Sequence, residues 1–235
     1  MKIPIQLENC PITDSTVELR FTPDVHRDAI FGYIYKELKK KYESTSRLNI
    51  LDLPEQVRNS DPSFQFSPHY KIYNEDYAIQ IGPRMLSIGF LNQYPGWNNF
   101  SREIKYLYDI LFELEITKSI DRIGLRYINF FDFNIFPFLK LKIELYDSEI
   151  DPKNAVFRTE IIKENFKNTL QIANNATFNR QVGSVIDIDC FRDLNNVSSL
   201  DEVLSLFDKM HRLEKKLFFE LLQDSLVKKL KPSYQ

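Results

Sequence analysis

Two arginine residues four positions apart are the side chains in this sequence best suited to bind an anion. Arg122 and Arg126 alternate with the apolar residues Ile123, Leu125 and Tyr127. Side chains of one parity share one face of a β-strand, so both guanidinium groups are expected opposite the apolar residues. Such a pair can hold a phosphate or a carboxylate through bidentate hydrogen bonds. A solvated face with paired charges is the simpler alternative, because antiparallel sheets commonly expose one face to water.

The same parity places other charged side chains on such a face. Glu18 and Arg20 point outward from an early predicted strand, and Asp187 and Asp189 from a late one. If these strands neighbour that of Arg126, the face is a mixed array of guanidinium and carboxylate groups. Trp97 opens a predicted helix, where it either anchors the helix on the sheet or forms a binding hot spot. The candidate binding residues are Arg20, Trp97, Arg122, Arg126 and Asn129.

Asp187 and Asp189 also permit a metal-binding interpretation. Their carboxylates could supply two oxygen ligands to Mg²⁺, as metal-dependent nucleases and nucleotidyl transferases require. The sequence has no third carboxylate in an evident supporting motif. Metal catalysis is therefore the alternative prediction for this pair and not the main one.

The motifs of well-known catalytic and cofactor sites are missing. His26, His69 and His211 lack metal-binding spacing, and no G-x-S-x-G sequence accompanies them. The 6 glycines form no nucleotide-binding motif, and the 2 cysteines have no Cys-x-x-Cys spacing. We therefore expect no cofactor and assign no catalytic residue, although a triad built from distant residues would leave no such motif.

The periodicity of apolar residues predicts the elements that position these side chains. Strands are predicted at residues 16–21, 70–73, 77–81, 85–90, 120–131, 139–146, 155–162, 169–174 and 184–191. Helices are predicted over residues 25–41 and 97–114, and for about 30 residues after a capping box at Ser199 and Glu202. The second to fourth strands form an antiparallel meander because their connections are so short. The polar segment 47–67, with two prolines, is predicted as a loop.

A possible internal repeat is the basis for the predicted division of the chain into units. Overlaying Arg20 on Arg126 also overlays Trp97 on Val203, the first apolar residue of the last helix. We therefore predict two related units, residues 1–118 and 119–235, in one compact body. The fold class is α+β, an antiparallel sheet packed by long amphipathic helices, arranged as two helix-grip or TBP-like pseudo-repeats. Tandem ferredoxin-like units are the alternative.

The charge of the chain argues against a global attraction to nucleic acid or anionic lipid. The formal net charge is −2 and the pI is about 6.0, so a nucleic-acid site would need a local basic patch. The sequence has neither a signal-peptide pattern nor an uncharged apolar stretch of about 18 residues. We expect a cytoplasmic protein without membrane contact.

The chain resembles a sporadically distributed bacterial family of uncharacterised proteins of about 250 residues. The phrases that carry the resemblance are residues 11–12, 17–21, 94–100, 122–129, 187–189 and 210–211, of which the strand motif R-I-G-L-R-Y-I-N at 122–129 is the most specific. The patchy distribution of such a family is typical of mobile accessory genes, including defence and toxin-antitoxin modules. The resemblance implies no catalytic residue.

These observations favour a binding or regulatory protein that is not an enzyme. It would hold a protein partner on the sheet face or in a cleft between its halves, and an open sheet edge would also allow a homodimer. One alternative is a metal-dependent nucleic-acid or nucleotide-processing enzyme that uses Arg122, Arg126, Asp187 and Asp189. Another is a small-ligand-binding protein of helix-grip type, with an apolar cavity between the last helix and the sheet.

Overall fold

The computed structural model describes residues 2–146, 148–149, 154–197 and 199–234. Within these ranges the α-helices are α1 (Ala29–Leu38), α2 (Glu55–Ser60), α3 (Trp97–Glu113), α4 (Leu200–Leu221) and α5 (Asp224–Lys229). The β-strands are β1 (Gln6–Leu7), β2 (Ile12–Pro23), β3 (Ser44–Arg47), β4 (Tyr70–Tyr73), β5 (Tyr77–Ile81), β6 (Met85–Phe90), β7 (Thr117–Phe131), β8 (Glu144–Leu145), β9 (Ser148–Glu149), β10 (Val156–Lys163), β11 (Phe166–Phe178), β12 (Gln181–Val197) and β13 (Pro232–Ser233). The predicted α+β class with a large antiparallel sheet is confirmed.

A nine-stranded sheet has the strand order β10-β11-β12-β7-β2-β6-β5-β4-β3. In this order β7, which carries Arg126, lies between β12 and β2. Two small antiparallel pairs, β1 with β13 and β8 with β9, complete the described strands. The ends of the sheet are β10 and β3, so each has one edge without a strand neighbour among the described residues.

The chain divides into two compact units. Unit 1 comprises Met1–Ser15, Arg126–Cys190 and Lys209–Gln235, and unit 2 comprises Thr16–Leu125 and Phe191–Asp208. Both units take residues from each side of the boundary predicted after residue 118. The strands β2, β7 and β12 and the helix α4 each contribute residues to both units.

The core of unit 1 lies between its strands and the C-terminal part of α4. Alternate residues of β11 and β12, such as Ile172 and Ile186, pack in one buried cluster with Leu217 and Leu222. Side chains of the opposite parity form what we call the outer face of unit 1. On β10 this face includes Val156 and Ile162, since these residues alternate with those packed on the cluster.

Unit 2 is built on the predicted meander. The β4–β5 turn is closed by Asn74, whose side-chain oxygen accepts from the backbone N–H groups of Asp76 at 3.0 Å and Tyr77 at 2.8 Å. The helix α3 follows Gly96, whose φ of +81° favours glycine. On its buried face the Tyr108 hydroxyl donates to the Leu86 carbonyl over 3.3 Å.

The strongest periodic patterns gave the most accurate predictions. The bounds of β4, β5 and β6 are those predicted, and α3 covers all but the last residue of its predicted range. In β7 the residues Ile123, Leu125 and Tyr127 are buried, as the predicted parity requires.

Several predicted elements differ in extent from the structure. The helix predicted over residues 25–41 is the shorter α1, Ala29–Leu38. Helix α4 ends at Leu221, and Gln223 has extended backbone before the separate helix α5, so there is no single helix of about 30 residues. Of the strand predicted at 139–146, only β8 and one bridge from Leu139 to Leu222 form. The predicted loop 47–67 contains α2.

Within the described ranges, none of the helices combines the length and the apolar composition that crossing a membrane requires.

Candidate functional site

An ion pair between strands β7 and β12 lies on the outer face of unit 1. The Arg126 Nε donates to Asp187 Oδ1 over 2.9 Å, and its Nη2 donates to Asp187 Oδ2 over 2.6 Å. The side chain of Arg126 is 49% exposed and that of Asp187 is 14% exposed. Both aspartate oxygens are thus occupied by a guanidinium fork, which is the strongest geometry for such a pair.

Two further carboxylates surround this pair. Asp189 and Asp14 add to the effect of Asp187 in raising the pKa of the Arg126 guanidinium. The pKa of Asp14 is raised by burial and by Asp187, against the opposing effect of Arg126. We call Asp14, Arg126, Asp187 and Asp189 the acidic cluster, because all three carboxylates act on one guanidinium. A positively charged group on a binding partner would be attracted to Asp14.

On the inner side of the same strand, Glu214 of α4 is 1% exposed. Its Oε1 accepts from the backbone N–H of Cys190 over 3.2 Å, and its Oε2 has no hydrogen-bond partner among the described residues. Burial raises the pKa of this carboxyl well above its usual range, and the charges of Asp189 and Asp187 raise it further. Glu214 therefore keeps its proton at neutral pH and is a neutral buried acid.

A second polar contact in unit 1, which is partly buried, joins Tyr127 and His211. The Tyr127 hydroxyl lies 3.0 Å from His211 Nδ1. Burial lowers the pKa of His211 to about 3, and the nearby cations Lys215 and Arg212 contribute to the decrease. The imidazole is therefore neutral at physiological pH.

Asn129 lies on the inner face of β7. It is 3% exposed, and its Nδ2 donates to the carbonyl of Ile186 on β12 over 3.2 Å. Asn129 and Arg126 have opposite parity in β7, so their side chains lie on opposite faces of the sheet. The amide of Asn129 links β7 to β12 through its hydrogen bond. In this position the side chain stabilises the sheet and does not face solvent.

Arg20 and Arg122 belong to unit 2 and have partners of their own. The Arg20 Nε donates to Glu18 Oε1 over 2.6 Å, and its guanidinium lies 4.5 Å from the ring centre of Phe66. The guanidinium of Arg122 lies 3.9 Å from the ring centre of Phe191. Each arginine is thus stacked on an aromatic ring, which is a stabilising arrangement.

Trp97 begins α3 in unit 2, as predicted. Its indole Nε1 donates to Asp208 Oδ1 over 2.8 Å, and its ring meets that of Phe100 edge-on at 6.3 Å between centres. These contacts fit the interpretation of Trp97 as an anchor at the start of the helix.

The metal-binding alternative would require a rearrangement of Asp187, since both of its oxygens accept hydrogen bonds from Arg126. Over the described part of the chain, no group of three or more His, Cys, Asp or Glu side chains is arranged to hold a metal ion.

Sequence reasoning did not find Asp14, Glu214 or the contact of Tyr127 with His211. For Glu214 a signal existed, because this acidic residue lies between Met210 and Leu217 on the apolar stripe of the last helix. Asp14 had none, since its neighbours Arg126 and Asp187 are far away in the sequence.

No protein-family model matches the chain, and no curated protein matches it.

Proposed function

We propose that this chain is a binding or regulatory protein that holds a protein partner on unit 1. The observation that carries the proposal is the edge of β10, which has no strand neighbour among the described residues and lies next to an apolar and charged outer face. Val156 and Ile162 on this strand are 64% and 68% exposed. Because β10 ends the nine-stranded sheet, a partner could add an extended segment to it through main-chain hydrogen bonds.

The acidic cluster would select the partner. In the sheet order, β12, β7 and β2, which carry the acidic cluster, lie two, three and four strands from β10, which is about 10–20 Å at normal strand spacing. One protein interface of ordinary size, about 800 Å² on each partner, spans that distance. We therefore propose a partner that presents an extended apolar segment to β10 and a Lys or Arg side chain to Asp14.

The wider role of the protein is proposed from the family resemblance. A cytoplasmic accessory protein of a defence or toxin-antitoxin locus fits a binding protein with no assigned catalytic residue. We also propose that the chain contains two helix-grip or TBP-like pseudo-repeats. If the structures of the two sequence halves superposed on each other, this would support the repeat. Toxicity of neighbouring genes when they are expressed without this protein would support the regulatory role.

Copurification from the native host tests the partner site. Ile162→Asp places a charge on the exposed side chain of β10, and Leu91→Asp makes the same change at a residue of unit 2 that is 46% exposed. We expect the partner to be recovered with the wild-type chain and with Leu91→Asp, and to be lost with Ile162→Asp. Retention of the partner by Ile162→Asp, with the variant correctly folded by circular dichroism, would reject this site. A second copy of the chain as the only bound protein would reject the heterologous partner.

The two alternatives, a metal-dependent enzyme and a small-ligand-binding protein, make different predictions. A metal-dependent nuclease would lose its activity in an Asp187→Ala, Asp189→Ala double variant. A helix-grip ligand site would place a bound ligand between α4 and the sheet. In unit 1 that space is occupied by the buried cluster that includes Ile188 and Phe218.

A further inference from the structure

Unit 2 contains a cleft of about 640 Å³ at one end of its strands. It is lined by the start of α1, by the segment that includes α2, and by the β5–β6 turn. This volume lies within the range of sites for small organic ligands, about 300–1,000 Å³. We call it the unit 2 cleft.

Five of the residues that line the unit 2 cleft can carry positive charge. They are His26, Arg27, Arg58, His69 and Arg84. Three acidic residues, Asp28, Glu55 and Asp61, also line it. The three arginines are always charged and equal the acidic residues in number, so the preference of the cleft for an anion depends on which of these charges already have partners.

The acidic residues already have local partners. Asp61 Oδ1 accepts from the backbone N–H of Ser63 over 2.8 Å, and this hydrogen bond lowers the pKa of Asp61. Glu55 Oε1 accepts from Asn59 over 3.3 Å, and Asp28 lies 3.8 Å from the Nδ1 of His26. None of these carboxylates forms an ion pair with a cleft arginine in the described part of the chain.

Two of the arginines have a buried Nε–H group without an acceptor. Arg84 donates through its two Nη atoms to Gln65, to Thr22 and to Asp121, with which it forms an ion pair, and its Nε is buried without an acceptor among the described residues. The Arg58 Nε is likewise buried without an acceptor, and no carboxylate of the described chain pairs with its guanidinium. Buried donors without an acceptor destabilise the fold, and a ligand oxygen that drew these side chains toward it could satisfy them.

His69 lies within the electric field of Arg58. Burial lowers the pKa of His69, the charge of Arg58 lowers it further, and Asp28 opposes this decrease. An anion bound beside Arg58 would therefore reverse part of the decrease. This makes His69 a reporter of anion binding in the cleft.

Apolar and aromatic side chains also line the cleft, together with the polar residues Asn59, Ser60 and Gln65. Phe31 stacks on Tyr70 with ring centres 3.9 Å apart, and Ile30 and Ile81 lie beside them in the lining. A ligand with a flat organic body could pack on this surface while its charged group reaches the arginines.

We propose that the unit 2 cleft binds a small organic phosphate, with Arg58 and Arg84 contacting the phosphoryl group and the organic body packing on Phe31 and Tyr70. A phosphate dianion satisfies more guanidinium donors than a carboxylate does, since it offers three terminal oxygens. The cleft lies entirely in unit 2, so the proposal does not depend on the partner site of unit 1.

Binding of adenosine monophosphate to the full chain tests the proposal, with adenosine, inorganic phosphate and acetate as comparisons. By calorimetry we expect the nucleotide to bind at least about tenfold more tightly than adenosine, because the phosphoryl group supplies the charge. By NMR we expect the nucleotide and inorganic phosphate to raise the titration midpoint of His69. Equal binding of acetate and phosphate would overturn the assignment to phosphate. No change at His69 with either phosphate compound at about 10 mM would overturn the site.

Arg58→Gln tests the residue assignment. Arg102→Gln removes the same charge from an exposed position of α3 that does not line the cleft. We expect Arg58→Gln to weaken nucleotide binding by about tenfold or more and Arg102→Gln to leave it unchanged. Equal weakening by both variants would show a general charge effect and would overturn the role of Arg58.

Discussion

Arg126 and Asp187, which are 61 residues apart in sequence, form a two-point ion pair across neighbouring strands of unit 1. Asp187 thus binds the guanidinium group of Arg126, which was predicted from the sequence to bind an anion. A bidentate pair with one well-buried partner stabilises the fold more than an exposed pair does. Asp14, an outward neighbour of the pair, adds a further negative charge, and this charge directs the proposed choice of partner.

A double-mutant cycle measures the strength of this pair. We expect Arg126→Gln, Asp187→Asn and the double variant to give a coupling of about 1 kcal/mol in urea unfolding. The exposed helical pair of Lys105 and Asp109 is the control, and its coupling should not exceed about 0.5 kcal/mol. Equal coupling energies for the two pairs would show that the partial burial of Asp187 adds nothing.

Glu214→Gln should raise the free energy of unfolding, and more at pH 8 than at pH 5. The folded-state pKa of Glu214 is raised, so its contribution to stability is complete below the unfolded pKa of about 4.5 and is lost as the pH rises. Glutamine keeps an oxygen that can accept from Cys190 and cannot ionise. Chemical denaturation at the two pH values gives the comparison. A loss of stability of the same size at both would contradict a protonated Glu214.

His211→Asn should have the opposite pH dependence. The folded-state pKa of His211 is lowered to about 3, so its contribution is present above the unfolded pKa of about 6.5 and is lost as the pH falls. Between pH 7.5 and pH 5 the advantage of the wild-type chain over His211→Asn should shrink by up to about 2 kcal/mol. Urea unfolding at both pH values measures it, and an unchanged difference would argue for a solvated imidazole.

Gly183→Ala should destabilise unit 1 by about 1–3 kcal/mol or more. A Cβ atom at residue 183 would lie 2.0 Å from the carbonyl oxygen of Phe131, which is backbone and cannot move aside cheaply. Gly32→Ala is the matched control, because a Cβ there has no atom within 4 Å. That change, inside α1, should stabilise the chain by about 0.5–1 kcal/mol. Thermal unfolding of both variants would reveal the contrast, and equal shifts would refute it.

The accuracy of the sequence predictions follows the range of the interactions that decide each feature. Strands β4 to β6 and helix α3 are specified by local periodicity and by short turns such as Asn74 to Tyr77, so their bounds were predictable. Parity also predicted that Arg126 and Asp187 point outward. Whether the two side chains meet depends on the sheet order, which local patterns do not encode.

Features that depend on distant partners were out of reach. The buried carboxyl of Glu214 accepts a hydrogen bond from the N–H of Cys190, and the amide of Asn129 donates to a carbonyl of β12. Both partners are distant in the sequence. The unit 2 cleft was missed because Arg58 lies on α2, a six-residue helix without a buried residue and hence without an apolar stripe to predict it.

Hydrogen-deuterium exchange on the complex with the captured partner tests the central claim, that unit 1 holds a protein along β10 and the acidic cluster. Main-chain pairing on an edge strand slows the exchange of its amides, and the flanking surface becomes buried. We predict slower exchange over Val156–Lys163 in the complex than in the free chain, with unchanged exchange in the opposite edge strand, Ser44–Arg47. Unchanged exchange over Val156–Lys163 in a stable complex would contradict the claim.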